Sequence, residues 1–470
     1  LRITGDKAKA IEQSIDSLML PIFLTSLTTA AAFLSLVFAP IEYMTGYGVS
    51  IAIGISWAWI LSITLLPSLI MLKNWPLNSR AIRKPGLLEH IVNKLGSTII
   101  KLPRSILIGG LLLVAIGIYG IKLVTTEVNM YSFFEKGNKI RDSLEFLDKK
   151  MLGSMNLVFL LNGDMKDPEL LQQISRLQDY VEKNPSVSTT ISIADVIKRM
   201  HRTVMDDDPD YEIVPDERAK VNNLYTMYSM SGDPEDFSTL VDYEYSKALV
   251  TAILKNVSTE SSVLFVNDIE QFVDKNFTKY KDITATGQLV VLRDMVELVI
   301  KSSVISICVS IVVITFIAAI FFKHFGWGIL AVIPLSAAVI LNFGFMGILR
   351  IDLNHVTALL SSVIIGVGVD FAIHYISQYR RLARAEVPIK TRSHRVIDEV
   401  GYPIILDALS NMAFGALLFS EFVPLQHMGG LMVFAMFSTS FGTLTILASL
   451  LELTGRRKEV MNTLLGGTIK

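Results

Sequence analysis

Ile364-Ile365-Gly366-Val367-Gly368-Val369-Asp370-Phe371-Ala372-Ile373-His374-Tyr375 sits inside an apolar run that extends from 355 to 379. About 20 apolar residues cross a bilayer as a helix, so this run reads as a membrane span. Asp370 lies near its middle. A charged side chain at that depth costs about 2.5–3.5 kcal/mol on insertion scales, and an acid in such a place is functional by default. A carboxyl group in low dielectric holds its proton more readily, so the expected use of Asp370 is reversible protonation near neutral pH. The bland alternative is a buried hydrogen-bonding residue that fixes helix packing. Gly366, one turn earlier, and Gly368 let neighbouring helices approach closely. His374, one turn later on the same face, fits a proton relay and fits equally a hydrogen-bonded residue near the span's end.

Working outward from this span, seven further runs are long enough to cross. They are 18–38, 46–72, 104–121, 299–322, 325–349, 401–420 and 427–451. The loops give an independent check. Lys73, Arg80, Arg83, Lys84, Lys94, Lys101 and Arg104 follow the second span; Lys323 and His324 follow the fourth. Arg380, Arg381, Arg384, Lys390, Arg392 and Arg395 follow the sixth, and Arg456, Arg457 and Lys458 follow the eighth. The positive-inside rule makes all of these cytoplasmic. Eight spans threaded in order satisfy that rule and put residues 122–298 on the outer side. Segment 87–101 has helical periodicity with a basic face and is expected to lie along the cytoplasmic surface.

Composition agrees with this reading. The 470 residues are 51% apolar, clustered in runs, with a net charge of -1. No global field points to nucleic acid. The single cysteine, Cys308, excludes an intramolecular disulfide. No P-loop, His/Cys metal cluster or nucleophile elbow is legible, so an enzyme is not expected and neither is a bound cofactor. The absence of a nucleotide-binding motif removes ATP as a directly bound fuel within this chain.

Within 122–298, Leu157–Leu161 reads as a strand, 168–183 as an amphipathic helix and Val187–Ile193 as a second strand. Ala248–Leu254, 260–280 and Ile283–Thr286 repeat that pattern. Paired βαβ units imply a ferredoxin-like α/β layer. A helix is expected near 216–229. The run Asp206-Asp207-Asp208-Pro209-Asp210 reads as a solvated loop rather than a cation site.

The first two spans repeat the last two. Ile15-Asp16 aligns with Ile397-Asp398, Pro21 with Pro403, Leu24 with Leu406, Leu27 with Leu409, and Thr28-Thr29 with Ser410-Asn411. After a two-residue slip, Pro40 meets Pro424, Met44 meets Met428 and Gly46 meets Gly430. Such internal symmetry marks transporters built from duplicated halves. Thr28, Thr29, Ser410 and Asn411 fit the lining of a pathway and fit plain interhelical hydrogen bonding equally. Asp407, also in the seventh span, fits a share in the relay or a mere boundary position. Asp370 precedes Asp398 by 28 residues, so a counterpart acid is expected about a dozen residues before Leu1, in an upstream half carrying a second outer domain.

Gly366-Val367-Gly368-Val369-Asp370-Phe371-Ala372-Ile373-His374, the basic loop after it and Asp398-Glu399-Val400-Gly401-Tyr402-Pro403 together resemble the RND superfamily, nearest its MMPL and hydrophobe/amphiphile efflux branch. Ser26-Leu27-Thr28-Thr29-Ala30-Ala31-Ala32-Phe33-Leu34-Ser35-Leu36 resembles that branch's fifth-span signature. The resemblance implies an RND-type helical bundle with an extracytoplasmic porter domain. The division is then 1–75 as spans five and six, 76–103 as a basic cytoplasmic linker and 104–121 as span seven. Residues 122–298 form the outer α/β domain, 299–452 carry spans eight to twelve, and 453–470 are a cytoplasmic tail. The resemblance also implies proton-driven export of lipids or other hydrophobic molecules from a bacterial inner membrane. Asp370 matches the family's intramembrane acid; some branches place Tyr after it, where this chain has Phe371. The implied partners are membrane lipids, a hydrophobic substrate, the upstream half, and a periplasmic carrier or further copies of the chain. A non-transporting sterol-sensing-like protein, a protein-export accessory factor and an inactive fragment are the competing readings.

Overall fold

The computed structural model describes residues 6–72, 94, 96–99, 101–231, 238–277 and 282–455. Of the expected linker, 76–93, 95 and 100 lie outside the described residues, as do 456–470 of the tail, with their charges. The chain separates into two units, one comprising Leu1–Thr125 with Leu298–Lys470, the other Thr126–Glu297.

The first unit begins with helix α1 (Lys7–Leu34), started by the Asp6 carboxylate, which accepts the Ala8 N–H at 2.9 Å. It tightens into a 3-10 turn at Ser35–Phe38 before α2 (Glu42–Leu72) and α3 (Pro103–Ile121). Pro103 opens α3, where its missing N–H is no loss.

The second unit follows. Its elements are α4 (Lys139–Lys150), β1 (Met155–Asn162), α5 (Pro168–Val181), β2 (Val187–Ile191), α6 (Ile193–Val204), α7 (Arg218–Ser231), β3 (Lys247–Leu254), α8 (Thr259–Asn276) and β4 (Ile283–Thr286). The sheet order is β2-β3-β1-β4, with every neighbouring pair antiparallel. Strands β1 and β2 therefore run parallel across β3, and two βαβ units interleave as in a ferredoxin-like fold. Leu157, Phe159 and Leu161 of β1 alternate inward with Val250, Ala252 and Leu254 of β3, all at most 1% exposed. Leu170, Ile174 and Leu177 of α5 and Val266 and Ile269 of α8 are buried as well.

The second strand ends two residues earlier than expected. Ser192 leaves the sheet to cap α6: its Oγ accepts the Ala194 N–H at 3.1 Å, while Asp195 Oδ2 accepts the Ser192 N–H at 3.0 Å. The Asp206–Asp210 run forms a tight turn. Asp206 and Asp207 take left-handed φ of 55° and 59°, and Asp208 Oδ1 accepts the Asp210 N–H at 3.0 Å. Short polar side chains tolerate that conformation better than most.

The chain then enters α9 (Gln288–Phe322), α10 (Phe325–Leu349), α11 (His355–Arg384), α12 (Ile389–Asn411) and α13 (Val423–Gly442). A 3-10 stretch, Met412–Phe419, extends α12, and a π-helical stretch, Thr443–Leu447, extends α13. Eight helices among the described residues are long and apolar enough to cross a membrane: α1, α2, α3 and α9 to α13 with these extensions. This is a polytopic helical membrane protein, and the eight expected spans each match one of these helices, the seventh overrunning its helix by one residue at Ser420.

Helix α11 is the axis of the first unit. Its most apolar window is 83% buried, against 6% for α2, and it packs on α1, α10, α12 and α13. Helices α3 and α10 meet through glycines: a Cβ at Gly120 would strike the Gly344 carbonyl, and one at Gly344 would strike the Gly117 backbone. Close backbone approach of this kind replaces the hydrophobic drive that helices lack in lipid.

Candidate functional site: a polar seam along the central helix

Asn354 fixes where α11 starts. Its Oδ1 accepts the Val356 and Thr357 N–H groups, each at 2.9 Å, and Thr357 Oγ1 accepts the Asn354 N–H at 2.8 Å. From that start the helix carries Asp370 to about its midpoint. Gly366 faces α1, where a Cβ would lie 3.2 Å from Thr29 Cγ2 and 3.3 Å from Ala32 Cβ. That tight contact lets Thr29 reach Asp370. Thr29 Oγ1 lies 2.8 Å from Thr25 O, 3.0 Å from Gly366 O and 3.5 Å from Asp370 Oδ1. Gly368 faces elsewhere, towards Thr439 of α13 and Leu335 of α10.

On the other flank stands α12. Asn411 Nδ2 donates to Asp407 O at 3.1 Å and to Asp407 Oδ1 at 3.2 Å. The charge of Asp407 acts on both Asp370 and His374, so the three ionisable groups form one electrostatic cluster. Thr29, Gly366, Asp370, His374, Asp407 and Asn411 thus converge. Two other residues singled out in the sequence satisfy their own helices instead. Thr28 Oγ1 donates to Leu24 O or Thr25 O, each at 2.9 Å, and is fully buried. Ser410 Oγ donates to Leu406 O at 2.9 Å on an exposed face.

The seam extends further than the sequence reading carried it. Gln378 Nε2 donates to Glu399 Oε2, and Arg381 Nη2 donates to the same oxygen at 3.0 Å. Helical periodicity contained the signal: Gln378 and Arg381 sit eight and eleven residues after Asp370, and Glu399 sits eight before Asp407. A second missed pair is Ser393 Oγ, which donates to Glu452 Oε2 at 2.6 Å, both residues fully buried. Its sequence signal was a carboxylate one residue past the last apolar run.

A helical bundle around an acid-bearing axial helix, with a ferredoxin-like domain between its third and fourth spans, defines a polytopic membrane protein. Residues 1–88 and 162–464 match the MMPL family model, and the chain belongs to the MMPL family. A membrane protein of Methanocaldococcus jannaschii is 25% identical over 297 residues, 62% of this chain and 73% of that protein. Among solved structures, the hedgehog release protein Disp from the water bear Hypsibius dujardini aligns with a TM-score of 0.66 at 14% identity. That alignment covers 94% of this chain and 59% of Disp. SecDF aligns with a TM-score of 0.54 at 14% identity, covering 98% of this chain and 51% of SecDF. The chain therefore spans little more than half the length of either solved protein, and the likeness to both is one of fold.

Proposed function

We propose that this chain is part of a secondary-active exporter that moves lipids or other hydrophobic molecules out of a cytoplasmic membrane, driven by protons through Asp370. The observation that carries the reading is the cluster itself. A carboxyl group at the middle of the most buried span meets a hydroxyl from α1 and the charge of a second carboxylate from α12. A carboxyl group so placed can take up and give back one proton. Each transfer changes the charge between packed helices, which biases one arrangement of them over another.

The loop charges support the orientation proposed here, with residues 122–298 on the outer side and the Arg381 end in the cytoplasm. The sequence repeat supports a duplicated architecture, and it has a counterpart in the helices. A helix, a 3-10 turn and a second helix recur as α1, Ser35–Phe38 and α2, then as α12, Met412–Phe419 and α13. Asp407 is exposed on α12 in this chain, where lipid contact would be costly; that supports a further helical half packing against it. The test is pH-driven export of a fluorescent lipid analogue from proteoliposomes of the intact protein. Asp370→Asn keeps the side chain's size and removes its charge, so export should cease while thermal stability stays near that of the parent. Undiminished pH-driven export by the variant would refute the proposal.

A further inference from the structure

The geometry points to a proton exit that leaves Asp370 along one face of α11 and ends on the Glu399 carboxylate of α12. The inference rests on the reading of Asp370 as the proton carrier. Asp370, His374, Ser377, Gln378 and Arg381 follow one another at helical spacing, which places them in a stripe along one face of α11. At 1.5 Å per residue the stripe is about 16 Å long. Half of a bilayer's hydrocarbon core is about 15 Å. The stripe therefore reaches from mid-membrane to the membrane's edge without a second crossing.

Each position offers something a proton can use. His374 lies one turn from Asp370 and within the field of Asp407. Ser377 Oγ is buried without a protein partner, so its hydrogen-bonding capacity is left for a bridging water. Gln378 and Arg381 both donate to one oxygen of Glu399, which leaves the other free to take a proton. The Glu399 side chain is 43% exposed and that of Arg381 67%, so this end of the stripe is open to solvent. On its own helix Glu399 has His394 and Asp398 nearby, but those two pair with each other at 2.7 Å.

In the step, the Asp370 O–H bond breaks as the His374 imidazole takes the proton, and an N–H bond of the resulting imidazolium breaks in turn as water at Ser377 Oγ takes it. That water passes a proton to Glu399, where an O–H bond forms. Glu399 then breaks that O–H bond and releases the proton to bulk water. Glu399 is thus the terminal acceptor, and Gln378 and Arg381 are positioning residues that hold it at the end of the stripe.

The test is a stopped-flow pH jump, from acid to alkaline, on the intact protein in nanodiscs with a soluble indicator dye. The proton due to Asp370 is the difference in released protons between the parent and Asp370→Asn. In Glu399→Gln that proton should still be released, but about tenfold more slowly or worse. Ser377→Ala should slow it to a lesser degree. Glu399→Asp, which keeps a carboxyl group, should recover most of the rate and so separates proton transfer from folding. If Glu399→Gln releases the Asp370 proton at the parental rate, the exit is elsewhere. If Asp370→Asn releases as many protons as the parent, Asp370 carries none, and the reading beneath the inference falls with it.

Discussion

Thr29 Oγ1 has one proton to donate and three acceptors around it, at Thr25 O, Gly366 O and Asp370 Oδ1. When Asp370 is ionised the hydroxyl gains by turning to it; when Asp370 is protonated the backbone carbonyls are the better partners. Thr29 therefore couples the charge on α11 to the backbone of α1. Replacing it with valine keeps the shape and removes the hydroxyl. Thr29→Val should cost about 0.5–1.5 kcal/mol in stability, the net worth of one hydrogen bond. It should also cut pH-driven export well below that of Thr29→Ser, and equal export by the two variants would leave Thr29 without a part in coupling. Asp242 offers a test in the second unit. Its partial burial disfavours the charge, but the Ser246 hydroxyl and the Lys247 and Ser246 N–H groups donate to it and hold its carboxyl below the usual range. A group with its folded pKa lowered contributes stability above its unfolded pKa and loses it as pH falls through the folded value. The amide protection factors in the turn leading into β3, where Tyr245 takes a φ of 58°, should thus fall at acid pH once intrinsic exchange rates are divided out. Asp242→Asn should be open already at neutral pH and show no such acid dependence.

Helices α3 and α10 are locked by their glycines rather than by large side chains. Gly344→Val would drive a branched side chain into the Gly117 backbone, which neither helix can yield. An overpacked contact costs about 1–3 kcal/mol, so the variant's melting temperature should fall, while Gly109→Ala, where a Cβ meets nothing within 4 Å, should leave it unchanged. The elements differ in how readily the sequence disclosed them. Spans were plain because the bilayer demands long apolar runs and the loops carry their own sign. The four strands were found from alternation, but their order was not, since pairing β1 with β3 across 85 or more residues leaves no local trace. Helices α4 and α6 escaped notice because short amphipathic stretches differ little from polar loops until a cap such as Asn138 or Ser192 is read as one. At the site, Asp370 announced itself by its cost in lipid. Glu399 did not, because at a span's end a carboxylate costs little, and its part emerges from the Gln378 and Arg381 side chains that turn to it.

At the scale of the whole molecule, the orientation proposed from the loop charges puts Asp207 outside and Arg392 in the cytoplasm. Cysteines at Asp207 and Arg392, in a Cys308→Ser background because Cys308 is free and exposed, should react with an impermeant thiol reagent from opposite sides of intact cells. Labelling of both from one side would overturn the orientation. The central claim is that proton entry and substrate exit are one event passing through Asp370. It is tested most directly by trapping a pH-sensitive dye in proteoliposomes of the intact protein and following internal pH together with export of a lipid analogue. Proton flux down the imposed gradient should rise and fall with export, and Asp370→Asn should abolish both. Export that continues in Asp370→Asn, or that proceeds with no matching proton flux, would contradict the account.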